Sequence, residues 1–294
     1  MQETRRAIMF ANIRSGSARR SFFRSLTSLR AAGIDVTDVR FDLSRTSIVE
    51  SVRDARARGT SLVIAFGGDG TVGSVVEAIL GQDVILGVIP AGTSNNFLRS
   101  LDVPRTIPAA VGVIARGAPR RIDVGEVNGR YFAHAAIMGL NVDFARVSQR
   151  LRLLLGRLSY PVASLVVYFR RRRLSVHMEA EGTRRSLHAF QVTVIPSSRL
   201  QHRTGLAESD GVRLTVLCID DLRLGSVLRM LPAIFFGRHL GMPGRPVVEV
   251  SEARIDVAYP EAITLDGEIK AQSPAAVRIL PGAVRVMAPQ GATT

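Results

Sequence analysis

Three short stretches place polar side chains among glycines or other small residues at the ends of apolar runs. In "IAFGGDGTVGSVVEAIL", residues 64–80, Asp69 sits inside the cluster Gly67, Gly68, Gly70 and Thr71. In "IPAGTSNNF" another apolar run ends in Gly92, Thr93, Ser94, Asn95 and Asn96. In "ITLDGE" Asp266 and Glu268 flank Gly267. Gly67, Gly68 and Gly70 let a backbone approach a phosphate closely. The N–H groups of a helix read as starting at Val72 offer an anion site. Asp69 needs Mg²⁺ or a hydroxyl between itself and a phosphate. The stretch therefore suggests a nucleotide site whose carboxylate helps hold a metal. Two plainer readings stand beside it: a tight strand-to-helix turn with Asp69 as helix cap, and an Asp-Gly hairpin turn at 266–267.

Gly68–Gly73 fits G-x-G-x-x-G, yet the acidic residue that a dinucleotide site needs about 20 positions on is missing from "GVIPAGTSNN". No G-K-[ST] occurs, which excludes a Walker A loop. Two small-residue loops at the ends of neighbouring parallel strands would instead converge on one crevice.

The elements that must position these loops alternate up to about residue 125. Strand-like "RRAIMFAN", "IDVTDVRF", "SLVIAF" and "VILGVIP" are separated by helix-like "RRSFFRSLTSLRAAG", "SIVESVRDARARG" and "VGSVVEAILG", and "RTIPAAVGVIARG" follows. This alternation predicts βαβ units and a parallel sheet. From about 126 to 275 short β-rich segments such as "GVRLTVLCI" and "PVVEVSEARIDVAY" are punctuated by Asn-Gly and Asp-Gly turns. They predict an antiparallel β-sandwich with two helical insertions. The expected domains are 1–125, with final strands in 276–294 returning to it, and 126–275.

The chain has 294 residues, 46% of them hydrophobic, enough for a sizeable core. Cys218 is its single cysteine, so an internal disulfide is excluded. The start reads as too short in apolar residues for a signal peptide, and no run reaches the roughly 18 apolar residues of a membrane span. Lys and Arg number 39 against 25 Asp and Glu, a net charge of +14; one of the 39 is a lysine, Lys270, and the other 38 are arginines. Such a surface attracts anions. Nucleic acid is disfavoured as the partner, because aromatics make up 5% of the chain and there is no Trp for base stacking.

"GGDGT", "GTSNNF" and "LDGE", in this order and spacing, resemble the diacylglycerol kinase catalytic-domain family, the soluble bacterial lipid kinases related to sphingosine kinases. "ANIRSGSA" resembles the family's N-P-x-S-G opening, and the resemblance covers nearly the whole chain. It implies a fold like that of NAD kinase and diacylglycerol kinase, with ATP in a cleft between two domains. It implies Glu268 as the base that takes the lipid hydroxyl's proton, and Asp69 and Asp266 in a Mg²⁺ network. It also implies nucleotide contacts from Thr71 and Thr93, with Asn12 at the nucleotide edge. A structural metal at Asp210, with the carbonyls of Ala207 and Val212, would match the family's second domain. The alternative there is a plain turn. The expected protein is a cytoplasmic, peripherally membrane-associated lipid kinase, and a homodimer is compatible with it. GGDGT is shared with NAD kinases, but GTSNN and the late DGE argue against that activity.

Some residues depart from the family pattern. Asn96 stands where most members carry Asp, Gly73 and Ser74 replace Asn-Glu, and Ile13 replaces proline. These departures keep open a catalytically weak nucleotide- or lipid-binding regulator. "RLRLLLGRLSYPVASLVVYFRRRRL", residues 150–174, brackets an apolar middle with arginines and could lie in an anionic membrane interface. The plainer reading is a helix packed on the sandwich.

Overall fold

A computed structural model describes residues 5–13, 16–92, 95–101, 103–170, 172–198, 212–221, 223–225 and 245–290. The chain divides into two compact units, Met1–Val124 with Leu280–Thr294, and Gly125–Ile279.

The first unit alternates strand and helix: β1 (Arg5–Ala11), α1 (Gly16–Ala31), β2 (Ile34–Arg40), α2 (Arg45–Ala57), β3 (Leu62–Gly67), α3 (Asp69–Ile79) and β4 (Ile85–Pro90). A four-residue helix α4 (Asn96–Arg99), α5 (Ile107–Arg116) and β5 (Ala118–Val127) follow. The order β2-β1-β3-β4 is parallel throughout. All six residues of β3 are buried, as a sheet covered on both faces requires. Met9, Ile64 and Phe66 pack with Phe22 and Leu29 of α1 and with Val111 and Ile114 of α5. The alternate residues Ile8, Phe10 and Val63 are equally buried, and α2 packs with α3.

The second unit continues with β6 (Arg130–Phe132), β7 (Ala136–Gly139), α6 (Leu140–Leu155), α7 (Ser159–Arg170), β8 (Leu174–Ala180), β9 (Thr183–Ala189) and β10 (Gln191–Pro196). After it come β11 (Leu214–Ile219), β12 (Arg245–Val250), β13 (Glu252–Val257), β14 (Ala262–Leu265), β15 (Glu268–Gln272) and β16 (Ala275–Ala288). One antiparallel sheet runs β12-β11-β10-β7-β14-β15; the first half of β16, with β13, β8 and β9, builds the other face. Burial alternates strictly along β13, so one face enters the core and the other meets water. Met138, Val194, Val216 and Leu265 from one sheet meet Val176, Met178, Ile255 and Val277 from the other. The architecture is the α/β domain and β-sandwich that the patterns predicted.

Two details correct the sequence reading. Helix α3 begins at Asp69, three residues before Val72, with Gly68 as its N-cap. Gly70 and Gly73 argue locally against helix, but Thr71–Val76 are almost wholly buried apart from Ser74, and that packing outweighs the propensity. The final segment is also one strand, β16, rather than several. It runs through Pro281 and Gly282, where Gly282 has φ +52°. Its first half pairs antiparallel with β13 (Glu252↔Arg278), and its second half pairs parallel with β4 (Arg285↔Ile85). The irregular point thus falls where the strand changes partner. There Asp123 accepts a hydrogen bond from the Gly282 N–H at 2.9 Å.

Candidate functional site

In the first unit the carboxyl ends of β1, β3 and β4 lie side by side. The Asn12 N–H donates to the Phe66 carbonyl at 3.0 Å, and the Ala91 N–H to the Gly67 carbonyl at 2.9 Å. In open α/β sheets generally, the carboxyl edge is the usual place for a ligand. Here it gathers Asn12, Gly67, Gly68, Asp69, Gly70, Thr71, Gly92 and Asn95, with Asn96 opening α4. Thr93 lies outside the described residues.

The glycines have a task that the sequence did not show. The two loops touch backbone to backbone: a Cβ on Gly92 would stand 2.5 Å from the Gly68 Cα. A Cβ on Gly67 would stand 2.4 Å from the Thr71 Oγ1, so Thr71, only 5% exposed, packs over that glycine. Asp69 does not cap its own helix. Its Oδ1 accepts the Phe97 N–H at 3.0 Å, tying the first loop to α4. Asn95 takes a left-handed φ of +47° and is buried; its Nδ2 donates to the Gly92 carbonyl at 2.9 Å. The Asn95 Oδ1 is buried with no hydrogen-bond partner among the described residues.

In the second unit "LDGE" is the Asp-Gly hairpin turn of the plainer reading, and it carries two carboxylates. Asp266 (φ +51°) and Gly267 (φ +93°) form the two-residue loop between β14 and β15, whose mirror-image geometry favours such residues. The Asp266 Oδ2 accepts the Ala133 N–H at 2.8 Å; its Oδ1 accepts those of His134 at 2.8 Å and Ala135 at 3.0 Å. Glu268 points outward, its side chain 53% exposed, with Oε2 3.1 Å from the Lys270 Nζ. Glu261, just before β14, is a carboxylate that sequence reasoning missed. It is buried and paired with Arg172, and burial raises its pKa above the ordinary value while Arg172 opposes the rise. No motif marks it, because its burial comes from the fold. Lys270 was missed as well, although its being the sole lysine was a visible signal.

Asp210 and Ala207 lie outside the described residues, and Val212 is exposed. Among the described residues no three His, Cys, Asp or Glu side chains cluster as metal ligands.

The arginine-flanked segment forms the pair α6 and α7, joined by a short turn at Gly156–Leu158. Leu154, Leu158 and Phe169 are exposed there. A pocket of about 320 Å³ between the two helices is lined by Asp143, Arg146, Arg150 and Arg170 over Val147, Val166 and Val167. No helix among the described residues is long and apolar enough to cross a membrane.

Comparison with known proteins gives matches over both units. Residues 6–127 match the diacylglycerol kinase catalytic domain family, and residues 134–288 the YegS C-terminal NAD kinase beta sandwich-like domain. A protein named diacylglycerol kinase from Mycobacterium tuberculosis is 28% identical over 298 residues, covering 94% of this chain and 92% of that protein. A probable lipid kinase YegS from Salmonella arizonae is 27% identical, covering 90% of each. A crystal structure of a diacylglycerol kinase from Bacillus anthracis superposes with a TM-score of 0.70 at 20% identity, covering 100% of this chain and 99% of that one; at that identity it bears on the fold.

Proposed function

Because the chain belongs to the family that joins a diacylglycerol kinase catalytic domain to a YegS-type C-terminal β-sandwich, we propose that it is an ATP-dependent kinase acting on a lipid hydroxyl, diacylglycerol-like or sphingoid-like. The observation that carries this is the apposition of two small-residue loops at the carboxyl edge of the parallel sheet, closed at Gly68 and Gly92 and tied by Asp69. Phosphoryl transfer needs positioning and charge neutralisation more than covalent help, and such an edge offers backbone N–H groups to phosphates.

Mg²⁺ fits this edge. One Asp69 oxygen is taken by Phe97, and Oδ2 has no hydrogen-bond partner among the described residues. One or two carboxylates plus substrate phosphates make an ordinary Mg²⁺ site. When bound, Mg²⁺ supplies charge neutralisation at the phosphate oxygens. Asp266 is assigned a different task, since both its oxygens already accept backbone N–H groups. Glu268 is assigned as base. It takes the lipid hydroxyl's proton while that oxygen bonds to the γ-phosphorus; the bond from phosphorus to the β–γ bridging oxygen breaks, and ADP leaves.

The lipid would be met at an anionic membrane surface. The exposed Leu154, Leu158 and Phe169 of the α6–α7 segment would supply apolar side chains for that surface, and Arg146, Arg150 and Arg170 of the same segment would supply cations. Vesicle flotation should recover the protein with anionic bilayers, less with neutral ones, and less again at high salt.

The deciding experiment incubates the protein with ATP, Mg²⁺ and a mixed lipid extract, then seeks newly phosphorylated lipid by mass spectrometry. A phosphorylated lipid is expected, and Glu268→Gln should slow its formation by about 10²–10⁴. A chain that binds ATP and phosphorylates no lipid would be a regulator; phosphorylation of NAD instead would make it an NAD kinase.

A further inference from the structure

We infer that Lys270 is a positioning residue for Glu268: it holds one carboxylate oxygen and leaves the other to receive the substrate proton. The inference rests on the reading of Glu268 as base. It draws on three observations that the family resemblance does not supply.

The first is the residue type. Of the 39 Lys and Arg residues, 38 are arginines, so a lysine is the exception in this chain. The second is the backbone. Thr264 pairs with Ile269 and Ile263 with Ala271, so the β14–β15 ladder skips Lys270, which is the extra residue of a bulge. Bulges bend a strand and re-aim a side chain, and they recur beside active sites. The third is the contact. The Lys270 side chain is 14% exposed while that of Glu268 is 53% exposed, and Nζ stands 3.1 Å from Oε2. A largely buried stem thus delivers a fixed charge to an outward-facing carboxylate.

The exception has a chemical reason. An arginine fork is built to engage both oxygens of a carboxylate at once. On a general base that would occupy the lone pairs that must accept the proton. An ammonium is a point charge that binds one oxygen. It also limits the rotamers of a long, exposed side chain, so that the free oxygen is presented in one place, where small misplacements cost rate.

The test uses the full chain, with lipid phosphorylation as readout and ATP binding and thermal melting as controls for folding. Lys270→Met should lower kcat by roughly tenfold to a hundredfold, with KM for ATP and lipid within about twofold of the parent. Lys270→Arg should lower kcat to a similar extent, although it preserves charge and length. In a Glu268→Gln background Lys270→Met should cost nothing further, since the residue acts through Glu268. Parental kcat in Lys270→Arg would overturn the inference, because a merely structural or electrostatic role is satisfied by arginine. An undiminished loss in the Glu268→Gln background would overturn it too. If Glu268→Gln itself turns over like the parent, the base assignment fails first. If Glu268→Gln is slow and Lys270→Met is not, only the role of Lys270 fails.

Discussion

Asp69 and Asp266 look alike in sequence, each an aspartate beside glycine at the end of a strand, yet the fold uses them differently. Asp69 accepts one backbone N–H, from Phe97, and keeps an oxygen in reserve. Asp266 accepts three, from consecutive residues 133–135, and is 8% exposed. Its own N–H also donates to the Ala135 carbonyl, so hairpin and segment are bound in both directions. The same local pattern of an aspartate beside glycine thus leaves very different acceptor capacity on the two carboxylates. What differs is how many of the lone pairs the backbone has already taken.

Unfolding in urea followed by circular dichroism should rank the consequences. Asp266→Ala leaves three N–H groups without their acceptor, two of them on the buried residues Ala133 and Ala135. At about 1–3 kcal/mol for each buried donor left unpaired, a loss of about 3–5 kcal/mol is expected. A loss below about 1 kcal/mol would erase the contrast with Asp69. Gly92→Ala sharpens the comparison from the other side, by testing the loop contact that Asp69 only ties. Its Cβ meets backbone rather than a yielding side chain, so about 1–3 kcal/mol is expected together with weaker ATP binding. Asp69→Asn keeps an acceptor for Phe97 and should change stability by no more than about 0.5 kcal/mol. Its turnover should nonetheless fall and recover partly at high Mg²⁺, a pattern that Asp266 variants should not show.

The smallest effect concerns Glu261, at the opposite end of β14 from Asp266. Burial raises its folded-state pKa, against the pull of Arg172, so the folded chain holds that proton more tightly than the unfolded chain does. The stability that this carboxyl contributes is complete below its unfolded value and is lost as pH rises through the folded one. Glu261→Gln should therefore gain on the parent as pH rises above the ordinary carboxyl range, about 4. A difference that shrinks as pH rises would show that the pairing with Arg172 outweighs burial.

The strands and long helices were legible because their periodicity is local: the run of β3 and the alternation of β13 can be read from six residues each. The start of α3 was misread because Gly70 and Gly73 carry a poor helix propensity that only burial overrides. The loops could be found from their composition, but their contacts could not. Asp69 meets Phe97 across 28 positions, and Asp266 meets Ala133 across 133. Nothing in either neighbourhood encodes such a partner. The pairing of β16 with β13 in its first half and with β4 in its second was equally hidden, since Arg285 meets Ile85 across 200 positions.

That strand sets an order of events during synthesis. The first unit cannot complete its sheet until Leu280 and the residues after it have been made, which is after the whole of Gly125–Ile279. At roughly 5–20 residues per second, the ribosome needs about 8–30 s for that interval. Throughout it, β4 stands at the end of the nascent sheet with the sequence ILGVIP, uncharged and destined for burial. The opposite end, β2, carries Asp35, Asp38 and Arg40 and so guards itself against foreign strands. The newborn chain is thus sticky on one side only, for a time set by the length of its second unit.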